Sequence, residues 1–143
     1  MGSIRTVSAV TLGVRDVETS RDFYEHGLGL PVVQHIPGEI AFLQGAPGQL
    51  LALWNVASMP DEYGDVAFGP SAPPMSIGHN VATRAEVALL VDALLAAGGT
   101  LVNPPTTRDW GGTSACVADP DGFRVDVVHN PAFHVAADGT VTV

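Results

Sequence analysis

The chain has a single cysteine, which excludes an internal disulfide and any multi-cysteine metal cluster. Only 6 basic residues stand against 15 acidic ones, for a formal charge of −9. With no basic cluster to neutralise phosphates, neither nucleic acid nor an anionic membrane surface is an expected partner. No apolar run approaches the roughly 20 residues needed to cross a bilayer. Nor does a basic segment followed by a hydrophobic stretch open the chain, so no secretory signal is expected and the cytoplasm is the expected compartment. Met1-Gly2-Ser3-Ile4-Arg5-Thr6 matches a loose myristoylation pattern, but the first strand candidate begins within a few residues and leaves little free arm.

What is present is a globular chain. Its 143 residues suit one ordinary domain, and an apolar fraction of 46% is enough for a core. In the strand candidate Val7 to Val14, Val10, Leu12 and Val14 alternate with Ala9, Thr11 and Gly13. That period of two gives a strand with one apolar face, which needs helix cover, and one small or polar face. Asp16 is placed as an N-cap, Val17, Ser20, Phe23 and Tyr24 share one side of the following helix, and Gly27 and Gly29 end it. Ile40 to Gln44 and Leu50 to Trp54 read as short strands joined by a turn.

Residues 55–74 are rich in proline, glycine and aspartate, and form a linker with a helical turn expected near Pro60 to Tyr63. The pattern then restarts. Met75 to Val81 reads as a strand and Thr83-Arg84-Ala85-Glu86 as a capping box. Val87, Leu90, Val91, Leu94 and Leu95 give a helix one buried face, and Gly98-Gly99 stops it. Thr100 to Val102 opens another strand, Asp119-Pro120-Asp121-Gly122 fits a type I turn, and Phe123 to His129 is the last strand of the pattern. A strand, a helix, a glycine stop and further strands thus occur twice, and a unit unable to bury its own sheet face must pair with its copy, within the chain or between chains.

Val10-Thr11-Leu12-Gly13-Val14-Arg15-Asp16 with Ser20-Arg21-Asp22-Phe23-Tyr24, Gly78-His79-Asn80-Val81, Trp110-Gly111-Gly112, and Asp119-Pro120-Asp121-Gly122 with His129-Asn130-Pro131 together resemble the glyoxalase/bleomycin-resistance/dioxygenase superfamily, also called vicinal oxygen chelate proteins. The resemblance implies an α+β fold of two βαβββ modules, forming a cupped mixed sheet around a cavity with helices on the outer face. It divides the single domain (1–143) into module one (about 5–54), a linker (55–74), module two (about 75–131) and a C-terminal tail (132–143). It also implies a homodimer.

Metal-using members hold a divalent ion with His, Gln and Glu side chains from the first and last strands of each module. The corresponding positions here are Ala9, Ala52, Ser76 and Asp126. Alanine cannot bind a metal and serine rarely does, so no metal and no other cofactor is expected. Superfamily members include lyases, dioxygenases, epimerases and drug-binding proteins, so the fold does not name the reaction.

Asp126 is a carboxylate embedded in the apolar stretch Val125 to Val128, either an acid/base group or one half of an ion pair with Arg124. Trp54 and Trp110 are candidate stacking walls, with core packing as the alternative. Thr11, Asn80 and Arg124 fall on predicted cavity faces and are assigned to ligand contact. His79 and His129 point the other way by alternation, His26, His35 and His134 fall in apparent loops, and Cys116 is read as a small buried thiol. Three functions remain open. The chain is a metal-free protein sequestering an aromatic or largely apolar small molecule, a metal-free enzyme moving a proton with Asp126, or a metal-dependent lyase or dioxygenase whose ligands lie in another register.

Overall fold

A computed structural model describes residues 2–143. Module one runs β1 (Ala9–Val14), α1 (Val17–Asp22) with a π-helical continuation over Phe23–Gly27, β2 (Val32–Ile36), β3 (Ile40–Ala46) and β4 (Gln49–Asn55). A 3₁₀ turn (Val56–Ser58) and the short α2 (Pro60–Tyr63) begin the crossover. Module two runs β5 (Ser76–Asn80), α3 (Ala85–Ala96), β6 (Thr100–Thr107), β7 (Thr113–Ala118) and β8 (Arg124–His129). The tail is not plain coil, since β9 (His134–Val135) and β10 (Val141–Thr142) pair as a small antiparallel hairpin.

The two sheets have the same plan, β1-β4-β3-β2 and β5-β8-β7-β6. In each, the first strand pairs parallel with the last, and the other pairings are antiparallel. A parallel pair cannot be joined by a tight turn, and the helix of each module lies in the long connection between its two members.

The α1 segment starts where Asp16 accepts a hydrogen bond from the Thr19 amide at 3.0 Å. The α3 start departs from the expected capping box. Glu86 Oε2 accepts from the amides of Ala82 (3.0 Å) and Thr83 (3.4 Å), but the Thr83 hydroxyl accepts no amide hydrogen bond among the described residues. The glutamate reaches back to two amides ahead of the helix, while the amides of Glu86 and Val87 donate to the Thr83 and Arg84 carbonyls, both at 3.2 Å.

Helices cover one face of each sheet, and a single apolar cluster spans both modules. Leu12, Val14, Phe23 and Leu43 from the first join Val87, Val91, Leu94 and Val117 from the second. Burying a side chain of this size contributes about 1.5–3 kcal/mol against the entropy of ordering it. Val10 is 40% exposed, because it lies at the open start of β1 beyond the helix cover. Helix contact between modules is close at Gly27, where an added Cβ would stand 3.0 Å from Leu94 Cδ2 and 3.2 Å from Ala97 Cβ.

Polar contacts also lock the modules together, and they converge on the β7–β8 turn. Gly122 donates its amide to the Asp119 carbonyl at 3.0 Å, closing the turn. Asp119 Oδ1 accepts from the amides of Asp121 and Phe123, both at 2.9 Å, and Oδ2 accepts from the Tyr24 hydroxyl at 2.7 Å. Asp121 accepts from the Arg15 amide and guanidinium (3.2 Å each) and from the Ser20 hydroxyl (3.2 Å). Tyr24 and Ser20 are fully buried and Asp119 is 4% exposed. Burial pushes the Tyr24 phenol well above its ordinary pKa, with the Asp119 carboxylate adding to the effect. Burial also raises Asp119, and its three hydrogen bonds only partly offset this.

A raised pKa in the folded state means that the protonated acid favours folding. That contribution is present below the unfolded value near 3.8 and is lost as pH rises through the folded value. Asp119→Asn stays neutral throughout, and its amide can still accept both backbone bonds and donate to Tyr24. Its stability relative to the unsubstituted chain should therefore increase from acid to neutral pH in chemical denaturation. Tyr24→Phe should lose about 1–3 kcal/mol at neutral pH, because a buried carboxylate oxygen is left without its donor. A flat Asn-minus-Asp difference across pH would contradict this account of the turn.

Candidate functional site

Alternation decides which side chains reach the open face of each sheet. Leu12 and Val14 are buried at 1% and 0%, so Thr11 and Gly13 lie on the opposite side of β1, beside Ala52 and Trp54 of β4. In module two, Val125 and Val127 are fully buried, which turns Arg124, Asp126 and Val128 to the open face next to Ser76, Gly78 and Asn80. His79 pairs with Val127 on the core side, where desolvation pushes its pKa below the ordinary value and nearby Glu86 pulls the other way.

Between the modules lies a cavity of about 810 Å³. Gly13 and Arg15 wall it from the end of β1, Asp121 to Arg124 from the start of β8, and Val56, Met59 and residues 66–74 from the crossover. That last stretch, rich in proline and glycine, has no regular hydrogen-bonded structure. Phe68 pins it in place. Its ring packs edge-on against Phe123, with centroids 6.2 Å apart, and lies 3.7 Å from the Arg15 guanidinium carbon. Gly13 leaves room for the opposite wall, since a Cβ there would meet Met59 Sδ at 2.5 Å.

Of the side chains assigned from sequence, Arg124 lines this cavity. Its Nη1 donates to the Gly122 carbonyl at 3.1 Å, and no ion pair joins it to Asp126 among the described residues. Asp126 stands further along the same face, opposite Cys116 on β7. Cys116 is half-buried rather than fully buried, and desolvation, with Asp126 adding to it, raises its thiol pKa. Trp54 is beside cavity-lining Gly13, but its Nε1 donates to Glu39 (2.9 Å) and its ring packs edge-on against Tyr63. Thr11 and Asn80 lie on the open faces outside the cavity lining, and Asn80 Oδ1 is buried without a hydrogen-bond partner. Trp110 is 53% exposed, packed over Gly112 in the β6–β7 connection and outside the cavity lining.

Arg15, Met59, Phe68 and Phe123 were not assigned from sequence. Arg15 directly follows the β1 alternation and Phe68 is the lone aromatic of residues 66–74, signals that gain meaning only once the chain is folded.

Each half repeats the order strand, helix, three strands, and the cavity lies between the two. A family model described as the Glyoxalase/Bleomycin resistance protein/Dioxygenase superfamily matches residues 6–127, and the chain belongs to that superfamily. It is similar to a solved glyoxalase-related enzyme from Fulvimarina pelagi, with 39% identity, a TM-score of 0.88, and coverage of 98% of this chain and 99% of that one. It is 27% identical to a probable lactoylglutathione lyase of Vibrio cholerae over 90% of this chain and 93% of the relative. The fold also matches a lactoylglutathione lyase structure from Agrobacterium tumefaciens, at 19% identity and a TM-score of 0.68, covering 90% and 96% of the two chains.

The superfamily's metal does not fit the residues present. On the open faces, the first- and last-strand positions carry two methyl groups (Ala9, Ala52), one hydroxyl (Ser76) and one carboxylate (Asp126). The one group of three metal-type side chains among the described residues, Asp22, Glu25 and His26, lies on the surface of the first helix. One carboxylate does not hold a divalent ion tightly.

Proposed function

We propose that this chain binds and sequesters an aromatic or largely apolar small molecule in the inter-module cavity, without its superfamily's usual metal centre. The donor set carries the reading. Alanine at two of the four ligand positions removes the chelating groups, while Val56, Met59, Phe68 and Phe123 give the cavity an apolar lining suited to burying a ligand. The volume falls within the roughly 300–1,000 Å³ of small-molecule sites. The name of the Vibrio cholerae relative favours a second reading, an enzyme. In this chain that would be a metal-free acid/base reaction at Asp126, yet Asp126 is not among the cavity-lining residues. We also propose a cytoplasmic homodimer. Leu101 and Val102 on edge strand β6, exposed at 43% and 40%, support assembly through that edge.

Protein purified without chelator should contain zinc, nickel, iron and manganese well below one ion per chain, and should show no lactoylglutathione lyase turnover when these ions are added. A stoichiometric ion would falsify the metal-free reading. Loss of a measured turnover in Asp126→Asn, with ligand binding intact, would establish the enzyme instead. Light scattering should give a dimer mass, and a monomer mass would remove the proposed assembly.

A further inference from the structure

All six basic residues of this acidic chain are arginines, and two of them wall the cavity. They are not equivalent. Arg15 is neutralised in place, with Nη1 3.2 Å from Asp121 Oδ1 and its guanidinium against the Phe68 ring. Arg124 uses a single donor, on the Gly122 carbonyl, and no carboxylate lies within the 4.0 Å ion-pair distance of it among the described residues. Arg15 and Asp121 cancel, so the cavity keeps one positive charge in a chain whose other fields repel anions. A half-buried charge without a partner is costly, and a guanidinium with free N–H groups matches a carboxylate in two-point geometry. Around it, Phe123, Phe68, Met59 and Val56 offer apolar surface to the rest of a ligand.

Building on the reading of this cavity as a ligand site, we propose that it selects monoanionic carboxylates on an aromatic or branched apolar body, with Arg124 as the counter-charge. Neither a purely apolar molecule nor a dianion balances the cavity as well.

Calorimetry with β-naphthoate and its neutral isostere β-naphthamide tests this. The unsubstituted chain should bind the carboxylate about tenfold to a hundredfold more tightly than the amide. Arg124→Met should abolish that preference while keeping amide affinity within about threefold, and Arg124→Lys should keep part of it. Equal affinity of the unsubstituted chain for both probes overturns the charge selection and leaves the apolar site standing. Binding of neither probe overturns both. A preference that survives in Arg124→Met overturns the assignment to Arg124. If near-UV circular dichroism shows Arg124→Met unfolded, the isostere comparison on the unsubstituted chain and on Arg124→Lys decides.

Discussion

The turn at Asp119-Pro120-Asp121-Gly122 is where one module grips the other. Each half of the chain buries a helix on its sheet, but apolar packing is non-directional and would tolerate sliding of one unit past the other. Hydrogen bonds from Tyr24 to Asp119 and from Arg15 and Ser20 to Asp121 do not. They fix one register, because shifting it would strand buried carboxylate oxygens and a buried phenol without partners. Proline at the second turn position presets the backbone, so both aspartates reach the interface from adjacent points of one rigid loop.

That constraint also makes the cavity. Asp121 holds Arg15 at the end of β1, Phe68 lies on Arg15, and the proline-rich crossover follows Phe68 over the opening. Arg124, two residues beyond Gly122, is carried to the cavity wall by the start of β8. The fold thus pairs a neutralised arginine, used for structure, with one left for a ligand.

Much of the architecture was legible because it is written in local periodicity. Alternation in β1, β4 and β8 faced Thr11, Trp54, Arg124 and Asp126 to the open side, and Asp16 capped its helix as expected. What alternation cannot say is which part of an open face becomes enclosed. That depends on where residues 66–74 lie, and they have no periodic signal and are held by contacts distant in sequence. Thr11, Asn80 and Asp126 therefore share the correct faces with Arg124 without sharing its cavity. Trp110 is placed likewise, since a large aromatic suggests a wall, and its position between β6 and β7 leaves it half-exposed over Gly112 and outside the cavity lining. The Thr83 cap failed because the helix begins at Ala85 with Arg84 at the N-cap, a boundary one residue later than the motif implies.

Amide chemical-shift mapping with β-naphthoate addresses the location of the site most directly. Shifts confined to Gly13, Arg15, Val56 to Met59, the non-proline residues of 66–74 and Asp121 to Arg124 are the predicted result. Shifts centred on Ala52, Trp54, Cys116 and Asp126, with the crossover silent, would place the ligand on the open sheet faces and contradict the account.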